Sequence, residues 1–141
     1  MELPAVLVDH TIRRGQIFHS TMFDDIDHGK FFVVVGVTDE EVAGFFYYIN
    51  SNINSNVITK QEQYAMQYPI LAQDYNFLKY DSYINATNII TRSKKELSES
   101  ISAGRTSLID SLKSKHLNEL LKKVRESKLF SKVEKRNFFY E

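Results

Sequence analysis

The sequence has no cysteine and no tryptophan, and its 141 residues include only two prolines and five glycines. Without cysteine there is no disulfide framework, no thiolate nucleophile and no Cys-based zinc site, so a reducing, cytoplasmic setting is expected. Long apolar runs are also missing. The longest, Phe31 to Val35 and Phe45 to Ile49, fall well short of a bilayer span. Met1-Glu2-Leu3-Pro4 lacks the basic start of a secretory signal, and the apolar stretch behind it stops at Asp9. No membrane partner is therefore expected. There is no G-x-S-x-G, phosphate-binding glycine loop, H-E-x-x-H or Rossmann fingerprint, which removes sequence support for a serine hydrolase, NTPase, zinc protease or dehydrogenase.

What the chain does have is apolar and aromatic material: 43% hydrophobic residues, with ten Phe and eight Tyr. At this length roughly two thirds of the unfolded surface can be buried, enough for one folded domain over 1–141. The formal net charge of zero conceals an asymmetry. Residues 1–90 carry five Lys or Arg against eleven acids, whereas residues 91–141 carry thirteen against seven. A basic C-terminal third can meet phosphates or an acidic partner, or be the solvated face of a helix.

The first ninety residues have the composition of strands. Gly15 to Ser20 reads as a strand entered at a glycine, and Lys30 to Val37, nearly all Phe and Val, as one buried on both faces. Thr38-Asp39-Glu40-Glu41 is a charged turn, and Val42 to Ile49 returns as the antiparallel partner. Six of the seven residues from Asn50 to Asn56 are Asn or Ser, which predicts a loop. Beyond it the pattern suggests a helical turn at Gln61 to Met66 and strands at Gln67 to Leu71 and Tyr83 to Ile90. Ser93 and Glu96 have capping-box spacing, predicting a helix from Lys94 to Ile101 that stops before Gly104. Leu108, Ile109, Leu112, Leu117, Leu120, Leu121 and Val124 recur at three- and four-residue steps and predict a longer helix, bent near Ser114. Ser131 and Glu134 repeat the capping-box spacing ahead of Phe138-Phe139-Tyr140, which are expected to dock on the barrel. The fold class is mainly β with C-terminal helices (α+β): a small barrel over 1–90 with a helical extension over 91–141.

This order of parts resembles the MazF/PemK-like toxins of bacterial toxin-antitoxin systems. The resemblance rests on the strand start Gly15-Gln16-Ile17, on His28 and Lys30 ahead of a β-branched strand, and on Ser51 after the third strand. It continues in Phe77-Leu78-Lys79-Tyr80-Asp81-Ser82-Tyr83-Ile84. It implies an SH3-like β-barrel of PemK/MazF type, metal-independent cleavage of single-stranded RNA, a homodimer, and neutralisation by a small antitoxin protein. Lys30-Phe31 stands where the family usually has Arg-Pro; lysine supplies a point charge without the bidentate guanidinium fork.

Attack by the RNA's own 2′-hydroxyl needs a base, an acid and a group that stabilises charge on phosphorus. The candidate catalytic residues are Lys30, His28 and Ser51, with His19, Asn50 and Asn52 as substrate-binding residues. No cofactor is expected. His10, His19 and His28, with Asp24, Asp25 and Asp27, have metal-ligand chemistry, but their nine-residue spacing matches no compact ligand motif. The alternative function is a catalytically inactive SH3-like binding module that recognises a protein partner through Tyr47, Tyr48, Tyr64, Tyr68 or Tyr80.

Overall fold

A computed structural model describes residues 12–22, 30–49, 66–87 and 89–140, with the backbone alone at 47–49. The described chain runs β1 (Gln16–Ser20), β2 (Lys30–Val37), β3 (Glu41–Ile49), β4 (Gln67–Ile70), a 3-10 turn (Ala72–Asp74), β5 (Ser82–Asn85), β6 (Ile90–Ser93), α1 (Lys94–Ser102), β7 (Thr106–Ser111), α2 (Ser114–Glu126) and α3 (Lys132–Glu134). The last helix continues as a π-helical turn over Lys135–Phe139. The expected Asn/Ser loop at 50–56 and the helical turn at 61–66, except Met66, lie outside the described residues.

The architecture is mixed α+β. All strand pairings are antiparallel, in the order β4-β5-β3-β2-β1-β7, with β6 also pairing with β3. Among the described residues β4 and β7 end this series without pairing with each other, so hydrogen bonding does not close it into a cylinder. The expected hairpin is its centre: Phe32 faces Phe46 and Val37 faces Val42, with a bulge between Val34 and Gly36 that bends the ribbon. Thr38 Oγ1 accepts from the backbone N–H of Glu41 at 3.0 Å, which fixes the charged turn.

Alternation along β1 and β2 divides the core in two. Ile17, Val33 and Val35 point to one face, where they pack with Phe45, Leu120, Leu121, Val124, Phe130 and Phe139. Phe18, Phe32 and Val34 point to the other, against Val42 and Leu97. The result is three layers, α1 on one side and α2 with the C-terminal turn on the other. This double cover is why β2 is apolar throughout and not alternating.

Two predicted elements differ from the sequence reading. Thr106–Ser111 is a strand and not the start of the long helix, which begins at Ser114. The segment 91–141 therefore adds strands to the same sheet besides carrying the helices. The expected strand Tyr83 to Ile90 is two strands, β5 and β6, lying end to end along one edge of β3. Three steps along β3, from Gly44 to Tyr47, stand opposite six steps from Ile84 to Ile90, so three extra residues interrupt the ladder. Both serines cap their helices as expected, and at Ser131 the box is reciprocal, the Ser131 N–H donating to Glu134 Oε1 at 2.9 Å. Ser93 Oγ accepts from the Glu96 N–H at 3.0 Å, and Ser131 Oγ from the Glu134 N–H at 3.0 Å. Gly104, at φ 79°, supplies the left-handed residue just beyond α1.

Candidate functional site

His28, Ser51, Asn50 and Asn52 lie outside the described residues. Lys30 and His19 are described, and the sheet separates them. His19 pairs with Phe31 and Ser20 with Lys30. Since successive side chains alternate, His19 shares the face of Ile17 and Phe31, its ring 4.9 Å from that of Phe31. Lys30 shares the face of Phe18 and Phe32, with its ammonium 4.6 Å from the centre of the Phe46 ring. A cation over an aromatic face is a favourable resting place for Lys30, and it directs the charge away from His19.

The described residues present a different concentration of charge, at the far end of β2. Here the Val37–Asp39 turn, the Ile12–Arg14 segment and the C-terminal turn enclose an open groove of about 610 Å³. Its polar lining includes Arg13, Thr38, Asp39, Arg136, Asn137 and Tyr140. An adjoining hollow of about 440 Å³ adds Lys132 and Lys135 and shares Arg136 and Tyr140. The groove and the adjoining hollow thus gather three arginines and two lysines, with one aspartate, around a tyrosine that is 51% exposed.

Two arginines build this site and are used up in doing so. Arg14 donates from Nε to the Val35 carbonyl at 2.8 Å, and from Nη2 to the carbonyls of Phe138 at 2.8 Å and Tyr140 at 3.2 Å. Arg125 donates from Nε to the Phe139 carbonyl at 2.6 Å while its guanidinium lies 4.8 Å from the Tyr140 ring centre. Carbonyls that a helix end leaves unpaired are thereby satisfied by charge-assisted bonds that moor the final turn to β2 and α2. Arg13, Asp39, Arg136 and Asn137 are exposed, and their side chains make no hydrogen bond or ion pair among the described residues. Fixed arginines hold the frame, and available ones face the groove.

A second polar group bridges α2 to the strands. The Tyr75 hydroxyl accepts from the Lys113 backbone N–H at 3.0 Å and lies 2.6 Å from His116 Nδ1. His116 Nε2 in turn lies 4.0 Å from an Asp74 carboxylate oxygen. The Tyr68 hydroxyl donates to Glu119 at 2.6 Å. Burial pushes the Tyr68 phenol well above the usual tyrosine range, and the bond to Glu119 adds to the shift. Burial raises Tyr75 too, against the opposing effect of the Lys113 N–H. Tyr68 and Tyr75 are nearly buried, so this network reads as mooring for the start of α2.

Its pH consequence has a definite sign. In the unfolded chain these phenols ionise near pH 10, while in the fold they keep their protons to higher pH. Above pH 10 the folded state therefore binds more protons than the unfolded one, and stability falls as pH rises towards the folded values. Tyr68→Phe should flatten that decline while costing about 1.5 kcal/mol at pH 7, the lower end for a hydrogen bond to a charged group because Glu119 is exposed. Urea unfolding of both proteins between pH 7 and 11 checks this; parallel decline in the two would show that Tyr68 does not contribute.

Sequence reasoning missed Arg13, Asp39, Arg136, Tyr140, Tyr75 and His116 as site residues. The available signal was the basic excess of residues 91–141, which marks a region without choosing residues. No helix among the described residues is long and apolar enough to cross a membrane. The chain matches no known family model and no curated protein.

Proposed function

We propose that this protein binds single-stranded RNA through the groove around Tyr140, and that this grip serves a metal-independent endoribonuclease of the PemK/MazF kind. The groove carries the proposal. Single-strand binders combine a positive channel for the backbone with aromatic faces for the bases, and here Arg13, Arg136, Lys132 and Lys135 surround a half-open tyrosine ring. Arg125 packs against that ring, and half of Tyr140 remains exposed to receive a base.

The cleavage half rests on the sequence resemblance, with Lys30 as the charge-stabilising residue, His28 moving protons and Ser51 holding a phosphate oxygen. Lys30 opens β2 and the groove lies beyond its other end, roughly 23 Å away at the usual ~3.3 Å rise per strand residue. The groove is therefore a substrate grip distant from Lys30, and a strand engaging both must run the length of β2. An SH3-like curl of the sheet is part of this reading, supported by the β2–β3 bulge and the broken β5–β6 edge. Homodimerisation or capture by a small antitoxin finds support in β7, an end strand whose Leu108 and Ile109 are exposed.

The test is anisotropy of a fluorescent single-stranded RNA titrated with protein at several salt concentrations. The Arg13→Ala/Arg136→Ala double variant should bind about tenfold more weakly. The slope of log affinity against log salt should fall by about 1.4, at ~0.7 for each of two phosphates no longer neutralised. Unchanged affinity and slope would remove the groove from the proposal. In the same buffer with excess EDTA, the parent should cut the RNA and Lys30→Ala should not; intact RNA with the parent leaves binding without catalysis.

A further inference from the structure

Beyond the backbone grip, the groove holds a group that a phosphate-binding surface has no use for. Asp39 puts a carboxylate among Arg13, Arg136 and Tyr140, where it repels phosphate. A carboxylate only accepts hydrogen bonds, so its natural ligand is a pair of adjacent donors. Of the four RNA bases, guanine alone offers two neighbouring N–H donors, N1–H and the N2 amino group, on its Watson–Crick edge. Cytosine and adenine each present one amino group there beside an acceptor, and uracil presents a single N–H between two carbonyls. In a single strand that edge is free to be read.

The surroundings of Asp39 suit this use. Thr38 Oγ1 accepts from the N–H groups of Glu40 and Glu41 at 3.4 and 3.0 Å, and the Thr38 N–H donates to the Glu41 carbonyl at 2.9 Å. The Lys94 N–H donates to the Glu40 carbonyl at 2.8 Å, so the turn is tied to the start of α1 as well. The backbone carrying Asp39 is thus fixed while its own side chain makes no bond among the described residues. Tyr140 gives a stacking face, Asn137 an amide donor suited to the guanine O6, and Arg13 and Arg136 the charges for flanking phosphates.

We infer that the groove is selective for guanine, read by the Asp39 carboxylate in single-stranded RNA; this rests on the RNA-binding reading above. The test uses the full chain with 5′-labelled heptamers in which one central nucleotide in a uridine background is G, C, A or U, plus inosine, which keeps N1–H and lacks the N2 amino group. The parent should bind the G heptamer about tenfold more tightly than the U heptamer, with inosine in between and C and A close to U. Asp39→Ala should reduce the G preference to under twofold while retaining affinity for the U heptamer, because Arg13, Arg136 and Tyr140 remain. Glu40→Ala, at the neighbouring position outside the groove, should keep the preference. Equal binding of the G and U heptamers by the parent, a C or A heptamer that binds as tightly as G, or a G preference that survives Asp39→Ala overturns guanine selectivity while leaving RNA binding intact. Failure of every heptamer to bind overturns both readings.

Discussion

Phe139→Ala is expected to lower the free energy of unfolding by about 3–5 kcal/mol, the usual cost of emptying a buried phenylalanine site. Phe139 is fully buried between Phe130, ring centres 5.2 Å apart and nearly perpendicular, and Phe45 at 6.4 Å. It is the last apolar side chain before Tyr140 and joins the C-terminal turn to both β3 and the segment after α2. Against a total of about 5–15 kcal/mol for a domain of this size, the loss takes a large share of the stability. Tyr140 follows directly, so the variant should also weaken the proposed RNA binding although Phe139 does not line the groove. Guanidinium-induced unfolding measures the first effect. Phe139→Leu should recover more than half of it, because most of the volume returns. A loss under about 1 kcal/mol for Phe139→Ala would mean that the C-terminal turn is not part of the core.

The parts of this fold that were legible in the sequence are those decided by local composition. The central hairpin was readable because Phe31 to Val35 and Phe45 to Ile49 are too apolar and too β-branched or aromatic for a surface segment, and the acidic turn between them has nowhere to go but solvent. The serine caps at Ser93 and Ser131 were readable because the signal spans only four residues. The strand β7 was not. Five of its six residues are exposed, so no inside-outside alternation marks it, and Leu108, Ile109 and Leu112 continue the helical spacing of α2 by coincidence. What makes Thr106–Ser111 a strand is pairing with β1, reinforced by the buried Thr106 hydroxyl against Ser20 at 2.6 Å and against Ser100. These are tertiary contacts, which no local pattern can report.

The candidate sites divide in the same way. Lys30 and His19 were both identifiable as chemically able residues, but their relation depended on strand register. With Ser20 opposite Lys30, the two fall on opposite faces; a slip of one residue would have put them together. Arg13, Asp39 and Arg136 meet in one groove although they come from the segment before β1, the turn between β2 and β3, and the C-terminal turn. Nothing short of the fold brings these into view. The separation of the groove from Lys30 by the length of β2 has a consequence for the proposed function as well: the proposed affinity and cleavage are separable by mutation at opposite ends of one strand.

The closeness of the last turn to β2 gives a second large effect and a way to test the first. A Cβ on Gly36 would collide with the Phe138 carbonyl oxygen and stand 2.6 Å from its Cα, so the obstacle is backbone and not the tip of a flexible side chain. That backbone is held in place by Arg14, which ties the Phe138 carbonyl to the Val35 carbonyl of β2, and by Arg125 on the Phe139 carbonyl. Gly36→Ala must therefore bend β2 or lift the turn, at a cost of about 1–3 kcal/mol for local strain and more if the turn comes away. The two outcomes are distinguished by combining the substitution with Phe139→Ala. Where the alanine merely strains β2, the two losses add within about 0.5 kcal/mol. Where it expels the turn, Phe139 has already left its site in the single variant, and the double variant should be little less stable than the worse of the two. We expect the second result, because Phe138 and the bulge at Gly36 occupy the same space. Full additivity in denaturant unfolding would show instead that the turn stays docked and that the strand yields.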